Sequence, residues 1–326
     1  RYPMKSFFFL VFLVLSFSLS GQEASKWYKG NLHTHTNLSD GNETPRRVVR
    51  WYYDHDYNFL FITDHNSLTE VARLDVDPRD DFLVLPGEEI TNSLAKQRLH
   101  TIALFATTPV MPSKGKSSVE ILQKDIDNAL ATSALVQLNH PLWRWSLTSS
   151  EIGQLKGLTL MEIINYNRDS NNFPAGGSRG TEGLWDDLLS KGFQIYGTAS
   201  DDTHDYLGEF LPSLSYPGKG WIMVRAEELS PQAIRKSLER GDFYLSTGVT
   251  LEDVSATQRL YSLKIQARDD EKYTTLFIGK DGKVLREDLS LTPSYAPEGG
   301  ETYVRAKVIS SNGETAMTQP LFLKRP

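Results

Sequence analysis

Two histidines, His33 and His35, lie two residues apart in the segment Asn-Leu-His-Thr-His at 31–35. The segment is typical of a β-strand, and side chains two residues apart in a strand leave the same face. Two neutral imidazoles on one face, with a carboxylate nearby, supply the nitrogen and oxygen ligands that divalent metal ions bind. A His-x-His pair alone fits two hydrogen-bonded structural histidines equally well, so the rest of the chain must decide.

Further histidines and acids follow other apolar, strand-like segments. The candidate metal ligands are His33, His35, Asp40, His65, Glu88 or Glu89, His100, His140, Asp202 and His204. Of the seven histidines in the chain, only His55 lies outside such a context, and we interpret it as a surface residue. Independent buried imidazoles would each need a polar partner. Nine ligands exceed one tetrahedral zinc site and predict two or three divalent ions that share a bridging carboxylate.

Strand-like and helix-like segments alternate from Lys26 to about Gly248. Strands are predicted at 27–33, 58–63, 82–85, 99–105, 134–138, 158–164, 193–199 and 220–224, and helices at 117–130, 182–189, 230–240 and from Pro45. This alternation predicts parallel strands with crossover helices, in an open sheet or a closed barrel. Strand ends converge on one mouth only in a barrel. We therefore expect an α/β fold with a distorted TIM-like barrel over residues 26–250.

The composition changes after about Leu251. Segments 261–267 and 302–310 alternate apolar and polar residues, and the pairs 281–282 (Asp-Gly) and 312–313 (Asn-Gly) are typical of hairpin turns. These patterns predict a small antiparallel β unit over residues 251–326, an immunoglobulin-like sandwich or a partial sheet. The unit has no histidine, which favours packing or docking to a partner over chemistry.

Residues 1–20 have the pattern of a signal peptide. A short charged start is followed by an apolar and serine-rich run and then by small residues, and the run suits a signal peptide better than a membrane span. An uncleaved anchor is the alternative. The chain has no cysteine, which excludes a lipoprotein anchor, disulfides, thiolate metal sites and a cysteine nucleophile. We expect a periplasmic or secreted protein with no stable membrane span after cleavage.

The net charge of the chain is −6. A negative net charge gives no indication of a basic surface that would bind duplex nucleic acid or anionic lipid. A small anionic substrate remains compatible with it, because a metal cluster would attract such a substrate locally.

The order of the motifs, HxH, SDG, TDH, GxE, H, NHP and DxH, resembles the PHP (polymerase and histidinol phosphatase) superfamily of metal-dependent phosphoesterases. The resemblance covers about residues 26–248. Segment 237–248 and the appended β unit resemble the secreted branch that includes carbaryl-hydrolase-like metallohydrolases. The resemblance implies a distorted (β/α)7 barrel, the PHP fold, with a trinuclear site of zinc, manganese or iron ions.

The resemblance also implies how the ligands divide among the ions. The first ion would be held by His33, His35, Glu89 and Asp202, the second by Glu89, His100 and His140, and the third by Asp40, His65 and His204. The GxEI block selects Glu89 over Glu88, and the DxH block selects Asp202 over Asp201. Asp40 stands where some members have histidine.

Such a cluster activates water as the nucleophile and stabilises the charge of a phosphoryl group, so no side-chain nucleophile is required. The predicted activity is hydrolysis of phosphate mono- or diesters. Asp64 is predicted to orient an imidazole from behind, with Glu88 and Asp201 as neighbours of ligands. Candidate contacts for the substrate's anionic group are Arg144, Arg168 and Arg179, because arginine binds phosphate with two parallel hydrogen bonds.

Three alternatives stay open. A metal centre also hydrolyses carbamates, carboxyl esters or amides, and some relatives degrade nucleotides or oligonucleotides as 5′→3′ exonucleases. The alternative outside enzymes is a metal-binding surface protein with a docking function.

Overall fold

The computed structural model describes residues 25–74, 80–207, 211 and 214–323. The predicted signal peptide at 1–20 lies outside these residues. Within the described ranges, no helix has both the length and the apolar character needed to cross a membrane.

The described residues form α-helices and strands that alternate only in part, because no described α-helix separates the strands at 59–62, 83–94 and 97–104 or those at 196–200 and 221–226. The helices are α1 (Pro45–Asp54), α2 (Ser118–Ala131), α3 (Ser149–Ile152), α4 (Gly180–Ser190) and α5 (Pro231–Arg240). The strands are β1 (Lys26–Asn31), β2 (Phe59–Ile62), β3 (Leu83–Leu94), β4 (Gln97–Leu104), β5 (Leu135–Leu138), β6 (Leu160–Asn165), β7 (Tyr196–Ser200), β8 (Trp221–Ala226), β9 (Phe243–Ser246), β10 (Leu251–Ala256), β11 (Tyr261–Ile265), β12 (Tyr273–Ile278), β13 (Val284–Asp288), β14 (Ser294–Tyr295), β15 (Tyr303–Ser310), β16 (Thr315–Thr318) and β17 (Leu321–Phe322).

Most strands belong to one large mixed sheet. Its order is β13-β12-β15-β16-β9-β8-β1-β2-β3-β4-β5-β6-β7, with β17 on β15, while β10, β11 and β14 form a small second sheet. The strand order of the large sheet ends at β7, which lies next to β8 and β9. The fold is therefore α/β with a large mixed sheet and few helices.

The expectation of uniformly parallel strands is wrong at two places. Strands β1, β2 and β3 are parallel, as are β5, β6 and β7, but β4 is antiparallel to both β3 and β5. Strand β8 is antiparallel to β1 and to β9. The β3–β4 connection is the reason for the first exception: Ala95 and Lys96 alone join the strands, and a crossover to a parallel strand needs a dozen residues or more.

The third strand is also longer than predicted. The pair Pro86-Gly87 looks like a strand end in the sequence, yet β3 continues through it to Leu94. Glu89 consequently lies inside β3 rather than past the end of a strand, whereas His100 lies inside β4, within the predicted strand 99–105.

The strands that carry the candidate ligands pack on a continuous apolar core. Its largest members in β1–β3 include Phe59 and Phe61, both fully buried. Gly30 lies against Phe59, and a Cβ at this position would lie 2.1 Å from the ring. Glycine therefore lets β1 approach β2 closely, just before the segment that carries His33 and His35.

The strands after Leu251 pair antiparallel, and hairpins link β12 to β13 and β15 to β16 at the two predicted turn pairs. The large sheet does not stop at the predicted boundary, because β9 pairs with both β8 and β16. The division into residues 26–250 and 251–326 stays a prediction.

Candidate metal centre

His33 and His35 lie in the segment directly after β1, which is held between two neighbouring strand ends. The backbone N–H of His35 donates to the carbonyl of Thr203 at 3.0 Å, and the N–H of Thr63 donates to the carbonyl of Thr34 at 2.9 Å. Both imidazoles are fully buried. The predicted same-face placement is observed, since their Nε2 atoms are 3.1 Å apart.

Two carboxylate oxygens from distant parts of the chain lie close to these imidazoles. The Nε2 atom of His33 is 3.4 Å from Glu89 Oε2 and 3.2 Å from Asp202 Oδ1. The Nε2 atom of His35 is 3.3 Å and 3.1 Å from the same two oxygens. We refer to His33 Nε2, His35 Nε2, Glu89 Oε2 and Asp202 Oδ1 as the four-atom cluster.

Five of the six distances within the four-atom cluster suit one tetrahedral metal ion, and His33, His35 and Glu89 form a group whose ligand atoms all lie within 4.8 Å of one another. Ligand bonds of about 2.0–2.1 Å give a tetrahedron with edges of about 3.3–3.4 Å, close to the distances observed. Glu89 Oε2 and Asp202 Oδ1 are both buried and accept no hydrogen bond, although His65 Nδ1 lies 2.9 Å from Glu89 Oε2. A buried carboxylate oxygen without a donor is costly, and a cation at the centre of the cluster would satisfy both oxygens.

The other oxygen of Glu89 faces a second group of donors. Its Oε1 atom lies 3.0 Å from His100 Nδ1, 3.3 Å from His140 Nε2 and 2.8 Å from the amide nitrogen of Asn139. The two carboxylate oxygens of Glu89 thus point to different sets of side chains, as a bridging ligand requires.

A third group lies nearer the surface. Asp40 is 3.4 Å from His65 Nε2, 3.3 Å from His204 Nε2 and 3.6 Å from His35 Nδ1. The side chain of Asp40 is 54% exposed, in contrast to the buried four-atom cluster. All nine predicted ligands therefore lie in one connected site, and their division among particular ions stays a prediction.

The buried carboxylates of the site are stabilised by positive charge on neighbouring imidazoles. Burial alone would raise the pKa of Glu89, but His33, His65 and His100 hold it well below its usual range. Burial would lower the pKa of His65, yet Glu89 and Asp40 raise it to about 10. Without a metal ion, protons on imidazoles balance these acids, and a divalent cation would replace them.

Two of the candidate ligands have unusual backbone conformations. His140 has φ +22° and Asp202 has φ +48°, in the left-handed region that residues other than glycine seldom adopt. Strain of this kind is common at functional sites, where the surrounding structure holds a side chain in position.

The predicted supporting role of Asp64 needs correction. Its carboxylate accepts hydrogen bonds from the backbone N–H and hydroxyl of Thr36, at 2.8 and 2.7 Å, and from Ser39 Oγ at 2.6 Å. Ser39 Oγ in turn lies 3.4 Å from His35 Nδ1. Asp64 thus fixes the turn after His35, and within the described residues its link to an imidazole runs through Ser39.

The acids next to two candidate ligands point elsewhere. Glu88 accepts a hydrogen bond from the N–H of Val110 at 2.8 Å, on the opposite face of β3 from Glu89. Asp201 accepts from the backbone N–H groups of 218–220 at 2.7–2.9 Å. These contacts agree with the motif-based choice of Glu89 and Asp202, and they leave Glu88 and Asp201 outside the site.

The predicted arginines occupy different places. A cavity of about 160 Å³ opens over the site, lined by Asp40, His65, Glu89, His100, His140, Trp143, Asn167, Arg168, Ser170, Asp202 and His204. Arg168 is 64% exposed at its edge, 3.7 Å from Asp169. Arg144 instead lies over the Trp143 ring at 5.4 Å, and Arg179 pairs with Asp187 at 2.7 Å. Only Arg168 of the three lines the cavity.

Sequence reasoning missed a set of polar residues that contact the candidate ligands. Asn165 and Asn167 donate to Asp202 Oδ2, both at 3.1 Å, and Glu162 accepts from His33 Nδ1 at 2.8 Å. A signal for Glu162 was present, since it is the only charged residue in the predicted strand 158–164. A carboxylate in a buried strand must have partners.

Comparison with known proteins places the fold. No family model and no curated protein matches the chain. The structure is similar to a two-domain protein from Bacteroides vulgatus that contains a predicted PHP-like metal-dependent phosphoesterase. The TM-score is 0.50 and the identity 18%, and the match covers 90% of this chain and 95% of that chain.

Two further solved structures have lower scores. One is an amidohydrolase from Chromobacterium violaceum, with a TM-score of 0.41 and 14% identity over 65% of this chain and 96% of that chain. The other is a lesion-specific endonuclease from Pyrococcus furiosus, with a TM-score of 0.42 and 13% identity over 66% of this chain and 56% of that chain. These scores are too low to support an inference. The resemblance to PHP-like proteins that the sequence motifs indicate is confirmed at the level of the fold by the Bacteroides protein.

Proposed function

We propose that this protein is a metal-dependent hydrolase that cleaves phosphate mono- or diesters of a small anionic substrate, with two or three divalent zinc, manganese or iron ions. The four-atom cluster carries the proposal, because two imidazole nitrogens each lie 3.1–3.4 Å from two buried carboxylate oxygens that accept no hydrogen bond. When bound, such ions supply an activated water and neutralise phosphoryl charge.

The residues of the chain have separable tasks in this proposal. His33, His35, Glu89 and Asp202 would hold the inner ion, and their side chains are at most 3% exposed. Arg168 provides a cationic side chain at the edge of the cavity, where it would bind the anionic part of a substrate.

Trp143 forms one wall of the cavity. Its ring contacts those of His100 and His140 edge-on, at centroid distances of 5.4 and 5.1 Å. This contact holds the two imidazoles beside Glu89 and gives the cavity an apolar side.

The proposal extends to the finer architecture. We infer a distorted (β/α)7 barrel, supported by the position of β7 beside β8 and β9 and by the bridge between Thr34 and Thr203. We also infer an immunoglobulin-like C-terminal unit at 251–326 and a third ion at Asp40, His65 and His204. The proposed likeness to the secreted carbaryl-hydrolase-like branch rests on segment 237–248.

A periplasmic or secreted location is part of the same proposal. It rests on the signal-like pattern of residues 1–20. Mass determination of the protein recovered from outside the cytoplasm would test it, with loss of these residues expected and an intact terminus contradicting cleavage.

A substrate panel tests the activity. Purified protein loaded with Mn²⁺, Zn²⁺ or Fe²⁺ is assayed with p-nitrophenyl phosphate, bis-p-nitrophenyl phosphate, an aryl carbamate, a carboxyl ester and a single-stranded oligonucleotide. The double variant His33→Ala/His35→Ala should lose turnover. The matched control is His55→Ala, because His55 stacks on Trp51 at 3.8 Å, away from the site.

The panel also decides among the alternatives. Turnover of the carbamate or carboxyl ester alone would replace the phosphoesterase proposal with an esterase or amidase. Stepwise degradation of the oligonucleotide from its 5′ end would establish an exonuclease. Tight metal binding without turnover of any ester would favour the non-catalytic docking protein.

A further inference from the structure

Glu162 is a fully buried carboxylate in β6, and its neighbours in sequence are apolar. Both of its oxygens are saturated by donors. Oε1 accepts from His33 Nδ1 at 2.8 Å and from Ser200 Oγ at 2.5 Å, while Oε2 accepts from the backbone N–H of His140 and the amide of Asn165, both at 2.8 Å.

These four donors come from separate parts of the site. His33 follows β1, His140 follows β5, and Ser200 is the last residue of β7, two residues before Asp202. Asn165 donates to Glu162 and also to Asp202. One side chain therefore joins three of the strand ends that carry candidate ligands, and it holds His140 in its left-handed backbone conformation.

Two roles are compatible with this position. Glu162 lies within 4.8 Å of potential ligand atoms of His33 and His140, so it could itself bind an ion. However, Glu162 has no free oxygen, whereas Glu89 and Asp202 each have one facing the four-atom cluster. His33 also turns its Nδ1 atom to Glu162 and its Nε2 atom to the cluster.

We propose that Glu162 is a positioning residue and not a ligand. It accepts the Nδ1–H proton of His33, so the lone pair of Nε2 is directed into the four-atom cluster, and it fixes the His140 backbone at the same time. A carboxylate behind a metal-binding imidazole sets both its tautomer and its orientation. This inference rests on the metal centre of the proposed function.

The substitution Glu162→Gln tests it with little change in size. An amide has one acceptor and one donor group, so it cannot accept from all four donors. Either its NH₂ group faces His33, which forces the proton of that ring to Nε2, or it faces the His140 N–H. We expect Zn²⁺ affinity, measured by chelator competition, to fall about 10- to 100-fold, and the visible spectrum of the Co²⁺-loaded protein to change.

Asp125→Asn is the matched control. Asp125 is another fully buried carboxylate, which accepts from Asn92 Nδ2 at 2.6 Å and from the N–H of Ser113 at 2.7 Å. This variant should keep the Zn²⁺ affinity and Co²⁺ spectrum of the wild type. Glu162→Gln with unchanged affinity and spectrum would overturn the positioning role, whereas a wild type that binds no metal would overturn the proposed function itself.

Heteronuclear NMR of the histidine side chains in the Zn²⁺-loaded wild type tests the same inference without a variant. We expect His33 to keep a proton on Nδ1 and to bind through Nε2. A His33 ring that binds through Nδ1, or a zinc-bound Glu162, would contradict the proposal even if Glu162→Gln failed to fold.

Discussion

Two regions of the molecule bury clusters of charge, and they balance it differently. In the first, Arg305 of β15 is fully buried and donates to both oxygens of Asp186 at 2.9 and 2.8 Å and to Glu182 at 2.8 Å. In the second, Glu89 and Asp202 face imidazoles, and each keeps one unpartnered oxygen. One cluster contains its own permanent cation, and the other does not.

The difference separates a structural cluster from a candidate functional one. Burial would lower the pKa of Arg305, but Asp186 and Glu182 raise it above its usual range, so this cation stays charged. The ion pairs of Arg305 with Asp186 and Glu182 join β15 to α4. At the metal centre, the compensating charge is a set of protons that a metal ion can displace. Four predictions test this contrast.

The largest effect is expected for Glu89→Gln. The amide would lose one of the two oxygens that face the four-atom cluster and the His100–His140 pair. We expect turnover to fall about a thousandfold, together with the bound metal measured by elemental analysis. Glu182→Gln changes the Arg305 cluster instead and is the control, and this variant should bind as much metal as the wild type. Full metal content in Glu89→Gln would show that Glu89 is not a bridging ligand.

Arg305→Met should have the opposite profile. Removal of the cation leaves the buried Asp186 without its ionic partner, and breaking a buried pair in this way costs about 3–5 kcal/mol. Urea unfolding should reveal this loss while the metal content of the folded protein stays unchanged. Arg268→Met removes an arginine whose side chain is 47% exposed and should cost under about 1 kcal/mol. Equal effects of the two substitutions would remove the contrast.

The pH dependence of stability should differ between metal-free and metal-loaded protein. Burial would lower the pKa of His204, but Asp40 and Asp202 raise it to about 9, and the pKa of His65 is raised to about 10. Raised pKa values stabilise the fold fully below the unfolded value of about 6.5, and this contribution is lost as the pH rises through about 9–10.

Thermal unfolding of the metal-free protein at several pH values between about 6 and 10 measures this loss. Zn²⁺-loaded protein should lack this part of the pH dependence, because the ions have displaced the protons. Identical profiles with and without metal would contradict the exchange of protons for metal.

The smallest effect is expected for Arg168→Ala. Its side chain is exposed at the edge of the cavity and would contact only the anionic part of a substrate. We expect KM to rise about tenfold with kcat nearly unchanged, as for the loss of uniform binding. Arg144→Ala serves as the control, because Arg144 lies over the Trp143 ring and does not line the cavity. A drop in kcat alone would instead assign Arg168 to the reacting group.

The sequence indicated which side chains lie close together but missed parts of the sheet, and the assignment of these side chains as metal ligands stays a prediction. His33 and His35 could be placed because a strand puts alternate residues on one face. Glu89 was selected by its motif, although its strand was predicted to end at Leu85. The β3–β4 hairpin was missed because Pro86-Gly87 resembles a strand end, and its true turn at Ala95-Lys96 has no turn-forming residue.

The supporting contacts were harder to predict, because their partners are distant in the chain. Asp201 resembles a neighbour of a ligand, yet its carboxylate binds the loop at 218–220. Asp64 contacts Thr36 and Ser39, a pairing that depends on how β2 lies beside β1. Local patterns indicate which side chains are polar and buried, but only the packed fold determines which of them meet.

Crystallography of the protein grown with Zn²⁺, using anomalous scattering to locate the ion, tests the central claim most directly. We expect a zinc peak at about 2.0–2.2 Å from His33 Nε2, His35 Nε2, Glu89 Oε2 and Asp202 Oδ1. A four-atom cluster with no anomalous peak, or zinc bound only at residues outside it, would contradict the account.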